Sequence, residues 1–204
     1  MKNIGLIIFF VIFGIVISLL ILSSPNLFLS SYEKYYAGDV RHFRGNLNEA
    51  EKIPVYPNEE TIKNVLLNPE VYKIYIAFFP NETENSYYFA SSFEITNKLA
   101  IIFRHILGEN VQTFKDVDES SCLLFYPDKQ IRCFKSFPIN STDELIPTSV
   151  EPIILLLGPS HANKTVVTVY NFMIILEGKS FEEVDRTYTD LDLSVDKMLL
   201  VLMD

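Results

Sequence analysis

Residues 158–165, Gly-Pro-Ser-His-Ala-Asn-Lys-Thr, follow the apolar run Ile153–Leu157 and end on Lys164-Thr165 at the spacing of a phosphate-binding loop. A loop of that kind needs a second glycine before the lysine so that backbone amides can close around phosphate. Asn163 stands there instead. It also needs a helix beginning at Lys-Thr, whose amino-terminal dipole meets the anion. The residues that follow, VVTVYNFMIILEG, are β-branched and aromatic and read as strands. The letters therefore predict strand, turn and hairpin, with no nucleotide as partner.

Other chemistry-bearing residues are sparse. His42, His105 and His161 stand alone, without metal-ligand spacing. His161 beside Ser160 could serve a hydrolase, but the glycine-flanked serine elbow is absent. Asp116-Val117-Asp118-Glu119 opens like a calcium loop. Ser121 then replaces its glycine and Pro127 its closing glutamate, so that reading fails. Asp185, Asp192 and Asp196 fall on one side of a C-terminal helix and read as a solvated face. No cofactor or metal is expected, and no motif raises an enzyme above a non-catalytic reading.

The two cysteines are more informative. Folding CLLFYPDKQIRC about Pro127-Asp128 sets Cys122 opposite Cys133. Opposed residues of an antiparallel pair lie about 4.5–5.5 Å apart, a separation a disulfide accepts. A bridge implies an oxidising compartment. Sequons begin at Asn81, Asn140 and Asn163, all in expected loops and so open to glycosylation.

The elements that would carry these residues begin with a membrane span. Residues 4–22 are free of charge and would reach roughly 28 Å as a helix, about the thickness of a bilayer core. Residues 1–24 are thus expected to be an uncleaved anchor in contact with lipid, with a cleaved signal as the alternative. Residues 25–51 read as a connector and 52–204 as the folded body. The net charge is −9, and removing the +1 of Lys2 leaves −10 for residues 33–204. So acidic a body repels phosphate backbones, and no nucleic acid is expected as partner. The fold expected is α+β: one N-terminal transmembrane helix, then a mixed sheet of six to eight strands with two hairpins, packed by two amphipathic helices. Strands are expected at 71–79, 110–117, 153–157, 165–170 and 172–177, besides the cysteine hairpin. A short helix should start at Asn58-Glu59-Glu60-Thr61. A longer one, over 87–107, should bury Phe89, Phe93, Leu99, Ile102, Phe103 and Ile106. A last helix is expected from a capping box at Ser180 and Glu183.

Residues 153–203 loosely resemble a C-terminal element of archaeal surface-layer and envelope proteins. The matching residues are Gly158, Pro159, Ala162, Asn163, Gly178 and Lys179. Leu157 stands where that element usually has a first glycine of a pair. The resemblance implies a cell-envelope location rather than a reaction. The expected function is a membrane-anchored structural, adhesion or binding module with its body outside the cytoplasm, with another envelope or membrane protein as a partner. The alternatives are a secreted or anchored hydrolase and an accessory subunit of a membrane complex.

Overall fold

The β-branched and aromatic runs form strands where the sequence places them, and their ends move by two residues at most. The structure, a computed structural model, describes residues 43–180 and 188–204. The expected span at 4–22 lies outside those residues. Among the described residues no helix is long and apolar enough to cross a membrane.

In chain order the elements are α1 (Leu47–Ala50), β1 (Val55–Tyr56), α2 (Glu60–Leu66), β2 (Lys73–Phe78), α3 (Asn85–Leu107), β3 (Val111–Lys115), β4 (Ser121–Phe125) and β5 (Gln130–Pro138). A 3-10 turn at Thr142–Glu144 leads to β6 (Ile153–Leu157), β7 (Val166–Tyr170), β8 (Met173–Glu177) and α4 (Asp190–Met203). All eight strands join one mixed sheet in the order β1-β7-β8-β6-β2-β5-β4-β3. Its centre, β8-β6-β2-β5, is parallel. Each wing is an antiparallel hairpin.

The cysteine hairpin has the expected register. Leu123 faces Arg132, Leu124 faces Ile131, and Cys122 faces Cys133. The two cysteines form a disulfide with Cα atoms 4.0 Å apart. The second hairpin turns at Asn171-Phe172, with Asn171 at φ 53°. Asparagine is among the few non-glycine residues that take this left-handed conformation readily.

The helices and the sheet face beneath them form one large core. The opposite sheet face carries a smaller cluster of Ala77, Ile153 and Leu155, to which the 139–151 segment adds Ile139 and Leu145. Phe43, Leu47 and Ala50 are buried in the large core, so packing reaches into the stretch read as connector.

Two helix readings need correction. The last helix starts at Asp190, not after Ser180. Thr189 Oγ1 accepts the Asp192 N–H (3.0 Å), and the Asp192 carboxylate accepts the Thr189 N–H (2.8 Å), a reciprocal cap that fixes the start. Glu183 and Asp185 lie outside the described residues. Nor is α4 amphipathic in effect, because every residue from Asp190 to Met203 is buried. Asp192 and Asp196 are therefore interior groups rather than a solvated face. In α3, Leu99, Ile102 and Phe103 are core as expected, but Phe89, Phe93 and Ile106 are exposed. The buried stripe of α3 instead runs through Tyr88, Ser91, Ser92, Glu94, Ile95 and Lys98. Its polar members hide it from a hydrophobicity pattern, and the small serines are buried where α3 meets α4.

The disulfide closes a loop with a sequence separation of 11. Reducing it, or substituting Cys133→Ser, should lower unfolding stability by about 2–3 kcal/mol, read as a lower urea midpoint. An unchanged midpoint would mean that the β4–β5 pairing does not need the bridge.

Candidate functional site

Three polar clusters and one apolar groove among the described residues have the make-up of a site. The first lies at the carboxyl ends of β2 and β6. From β2 the chain proceeds to the β5 wing, and from β6 to the β8 wing. The crevice between them is thus the topological switch point, where open α/β sheets place ligands. It holds Asn81, Glu84, Tyr88, Ser160 and His161. Glu84 Oε1 accepts from the Ser160 hydroxyl (2.6 Å) and from the Ser160 N–H (3.0 Å). The Tyr88 hydroxyl donates to Glu84 Oε2 (2.5 Å) and accepts the Gly158 N–H (2.9 Å). Burial pushes the Glu84 carboxyl up, yet the hydrogen bonds from Ser160 and Tyr88 outweigh it and hold the group below its ordinary value. The turn that resembles a phosphate loop therefore already holds an anion, the chain's own carboxylate. After Lys164-Thr165 comes β7, a strand as expected. The His161 ring stacks on Phe79 with centroids 4.5 Å apart, and it makes no hydrogen bond to Ser160. Serine and histidine are neighbours here without forming a nucleophile–base pair.

The second cluster was missed from sequence. Glu94 of α3 and Asp192 and Asp196 of α4 converge on Arg44-Gly45. Arg44 Nη1 pairs with Asp192 Oδ1 at 3.0 Å. The Arg44 N–H donates to Glu94 Oε1 (3.2 Å), and the Gly45 N–H to Asp196 Oδ2 (2.7 Å). A Cβ on residue 45 would sit 2.7 Å from that same oxygen, so the close approach requires glycine. Lys98 is buried beside them, its Nζ 4.7 Å from the Phe43 ring centroid. Glu94 Oε2 and Asp196 Oδ1 have no hydrogen-bond partner among the described residues. Burial, then the Asp192 charge, raises the Glu94 carboxyl to about 7 against the pull of Arg44. Burial and the Glu94 charge raise Asp196 well above its ordinary value. Three carboxylates thus face two cations, Arg44 and Lys98. The sequence signal was α4 itself: Leu191, Leu193, Val195 and the run Met198–Met203 leave its aspartates no wet side.

The third cluster is the Asp116–Asp118 loop. Lys73 Nζ contacts Asp116 at 2.7 Å and Asp118 at 3.0 Å. The hydrogen bond from Lys73, chief among the causes, lowers the Asp116 carboxyl to about 2. The letters that open like a calcium loop thus meet a lysine. Asp116 also lies near the two cysteine sulfurs, with ligand atoms within 4.8 Å of one another. Those sulfurs are joined to each other, and the carboxylate is joined to Lys73.

The groove lies between α3 and the β3 wing. It encloses about 550 Å³ and is walled by Phe93, Ala100 and Arg104 and floored by Thr113, Leu123 and Phe134. A second hollow of about 470 Å³, beside Arg44 and Lys98, lies on the other flank of Phe93. Phe93, which lines both hollows, is 71% exposed, and Phe89, one turn before it on α3, is 59% exposed. Of the sequons, Asn140 and Asn163 are exposed in loops. Asn81 is half-buried, and its Nδ2 donates to Ser160 Oγ (3.0 Å).

No known protein family matches the chain, and comparison with curated proteins and with solved structures finds no match either.

The raised pKa of Glu94 has a definite sign for stability. The folded form keeps a proton that the unfolded chain releases, so the stabilisation is complete below the ordinary glutamate value. It is lost as pH rises through about 7. The urea midpoint should fall between pH 5.5 and pH 8, by on the order of 2 kcal/mol in stability. Glu94→Gln, which keeps the acceptor for the Arg44 N–H, should flatten that slope. A midpoint that rises over the same range would contradict a buried proton.

Proposed function

We propose that this chain is a membrane-anchored, non-catalytic binding module of the cell envelope, held in lipid by residues 4–22 with its body outside the cytoplasm. The observation that carries the binding part is the exposed aromatic pair Phe89 and Phe93 on α3, with Phe93 lining two open hollows. Exposed aromatic patches flanked by polar residues are a mark of interaction surfaces. The hydrolase alternative asks for a nucleophile paired with a base in a pocket. Around Ser160 the hydroxyl is taken by Glu84 and the histidine stacks on a phenylalanine. The envelope location draws support from the charge-free run at 4–22, the Cys122–Cys133 bridge and the acidic body.

The test is made on intact cells expressing the full chain. Added protease should digest the body, and Cys122 and Cys133 should resist alkylation until a reductant is supplied. Protection of the body until the cells are lysed, together with two freely alkylated thiols, would overturn the location and the role with it.

A further inference from the structure

Among the described residues the edge of the sheet at β3 is open: β3 pairs only with β4, and it is the last strand in the order. Its register, with the Asp116 N–H to Ser120 O and Tyr126 N–H to Asn110 O bonds beyond its two ends, makes residues 110, 112, 114 and 116 the hydrogen-bonded positions toward β4. The N–H and C=O groups of Val111, Thr113 and Lys115 therefore point away from the sheet. None has a backbone partner among the described residues. Side chains at these same positions share the helix-side face with Leu123, and Thr113 and Lys115 line the 550 Å³ groove. The free edge and the groove are two aspects of one surface: a strand added to β3 would direct every second side chain into the groove.

Charge selects the occupant. The groove walls are apolar at Phe93, Ala100, Leu123 and Phe134. Arg104 lies one turn before the end of α3, and the chain passes directly from there into β3, so it marks the Val111 end of the groove. Lys115 marks the other end. The Arg104 side chain has no hydrogen-bond or ion-pair partner among the described residues. Lys115 Nζ is held by Glu119 O and Ser121 Oγ, both uncharged. Asp116 and Asp118, just past the strand, are paired with Lys73. A chain of net charge −9 thus leaves two cations at the two ends of one apolar groove. A second copy is a poor occupant. Antiparallel self-pairing about Thr113 would bring Arg104 of one copy toward Lys115 of the other.

We propose that β3 accepts an extended segment of a partner protein as a ninth, antiparallel strand, with an apolar residue opposite Thr113 at the centre of its groove-facing side and a carboxylate two residues to either side. This is recognition by strand addition, in which main-chain bonds hold the segment and alternate side chains select it. The proposal rests on the binding-module reading and names the partner chemistry for the same surface.

The probe is the peptide acetyl-Glu-Val-Phe-Val-Glu-amide, titrated by isothermal calorimetry into the full chain in detergent micelles. It should bind roughly tenfold or more tightly than its counterpart with lysines at both ends. Arg104→Glu should abolish or reverse that preference. N-methylation at the central Phe removes an N–H aimed at Thr113 and should weaken binding about tenfold. N-methylation at the two Val positions, whose N–H groups face away, should leave binding unchanged. Equal binding of the acidic and basic peptides, equal loss from both kinds of methylation, or no binding at all would overturn the proposal. So would sedimentation of the purified chain as a dimer that Thr113→Lys dissociates, since a second copy would then hold the edge. Failure of the peptide removes the strand-addition site alone; the location is decided by the experiment on cells.

Discussion

The structure depends on a helix that is buried on every side and is nevertheless one-third polar. α4 carries Asp190, Asp192, Ser194, Asp196 and Lys197 into an interior where an unpaired polar group is costly. Together they recruit partners from distant parts of the chain. Asp190 takes the Thr165 hydroxyl, and Ser194 donates to Glu177 O at the end of β8. Lys197 reaches Glu59 and Glu51 O ahead of α2. Asp192 and Asp196 take Arg44 and Gly45. The loops around the helix are thus positioned by the valences of its side chains, while the leucines between them supply non-directional burial.

The same demand organises the carboxyl ends of β2 and β6. A turn rich in outward-pointing amides at a topological switch point is suited to an anion, and here Glu84 is that anion. Once Ser160 and Gly158 are satisfied by Glu84 and Tyr88, the turn becomes a fastening between α3 and β6. Lys73 does the corresponding work for the Asp116–Asp118 loop. In both places a pattern that suggests a ligand from sequence is closed by a side chain far away along the chain, 76 residues in the first case and 45 in the second.

That explains which features were legible. Hairpin register follows from period-two geometry and from a turn fixed by Pro127-Asp128, so the pairing of Cys122 with Cys133 could be counted off on paper. Strand positions follow from β-branched runs such as Val166–Tyr170. The buried face of α3 does not follow, because Ser91, Glu94 and Lys98 lie on it while Phe89 and Phe93 do not. Periodicity ranks residues by hydrophobicity, and here two phenylalanines serve the surface while a glutamate and a lysine join Ile95, Leu99 and Ile102 in the interior. The start of α4 was misplaced for a related reason. Ser180-Glu183 and Thr189-Asp192 both have the form of a reciprocal cap, and only Thr189-Asp192 opens α4.

The clasp on Arg44-Gly45 also bears on how an anchored body would carry load. Under the anchored reading, tension from the membrane enters the described fold at Phe43. Two consecutive backbone N–H groups there are held by carboxylates on two different helices, and the Arg44 guanidinium is held by a third. Pulling on this strap loads α3 and α4 together, through two backbone hydrogen bonds and the Arg44–Asp192 ion pair. The β3 edge lies at the far end of the sheet from the first strand, β1, so no direct pull on it passes through the strap. A surface that received an added strand would need its backbone groups held in register, and a tether attached to the helical layer would leave that register undisturbed.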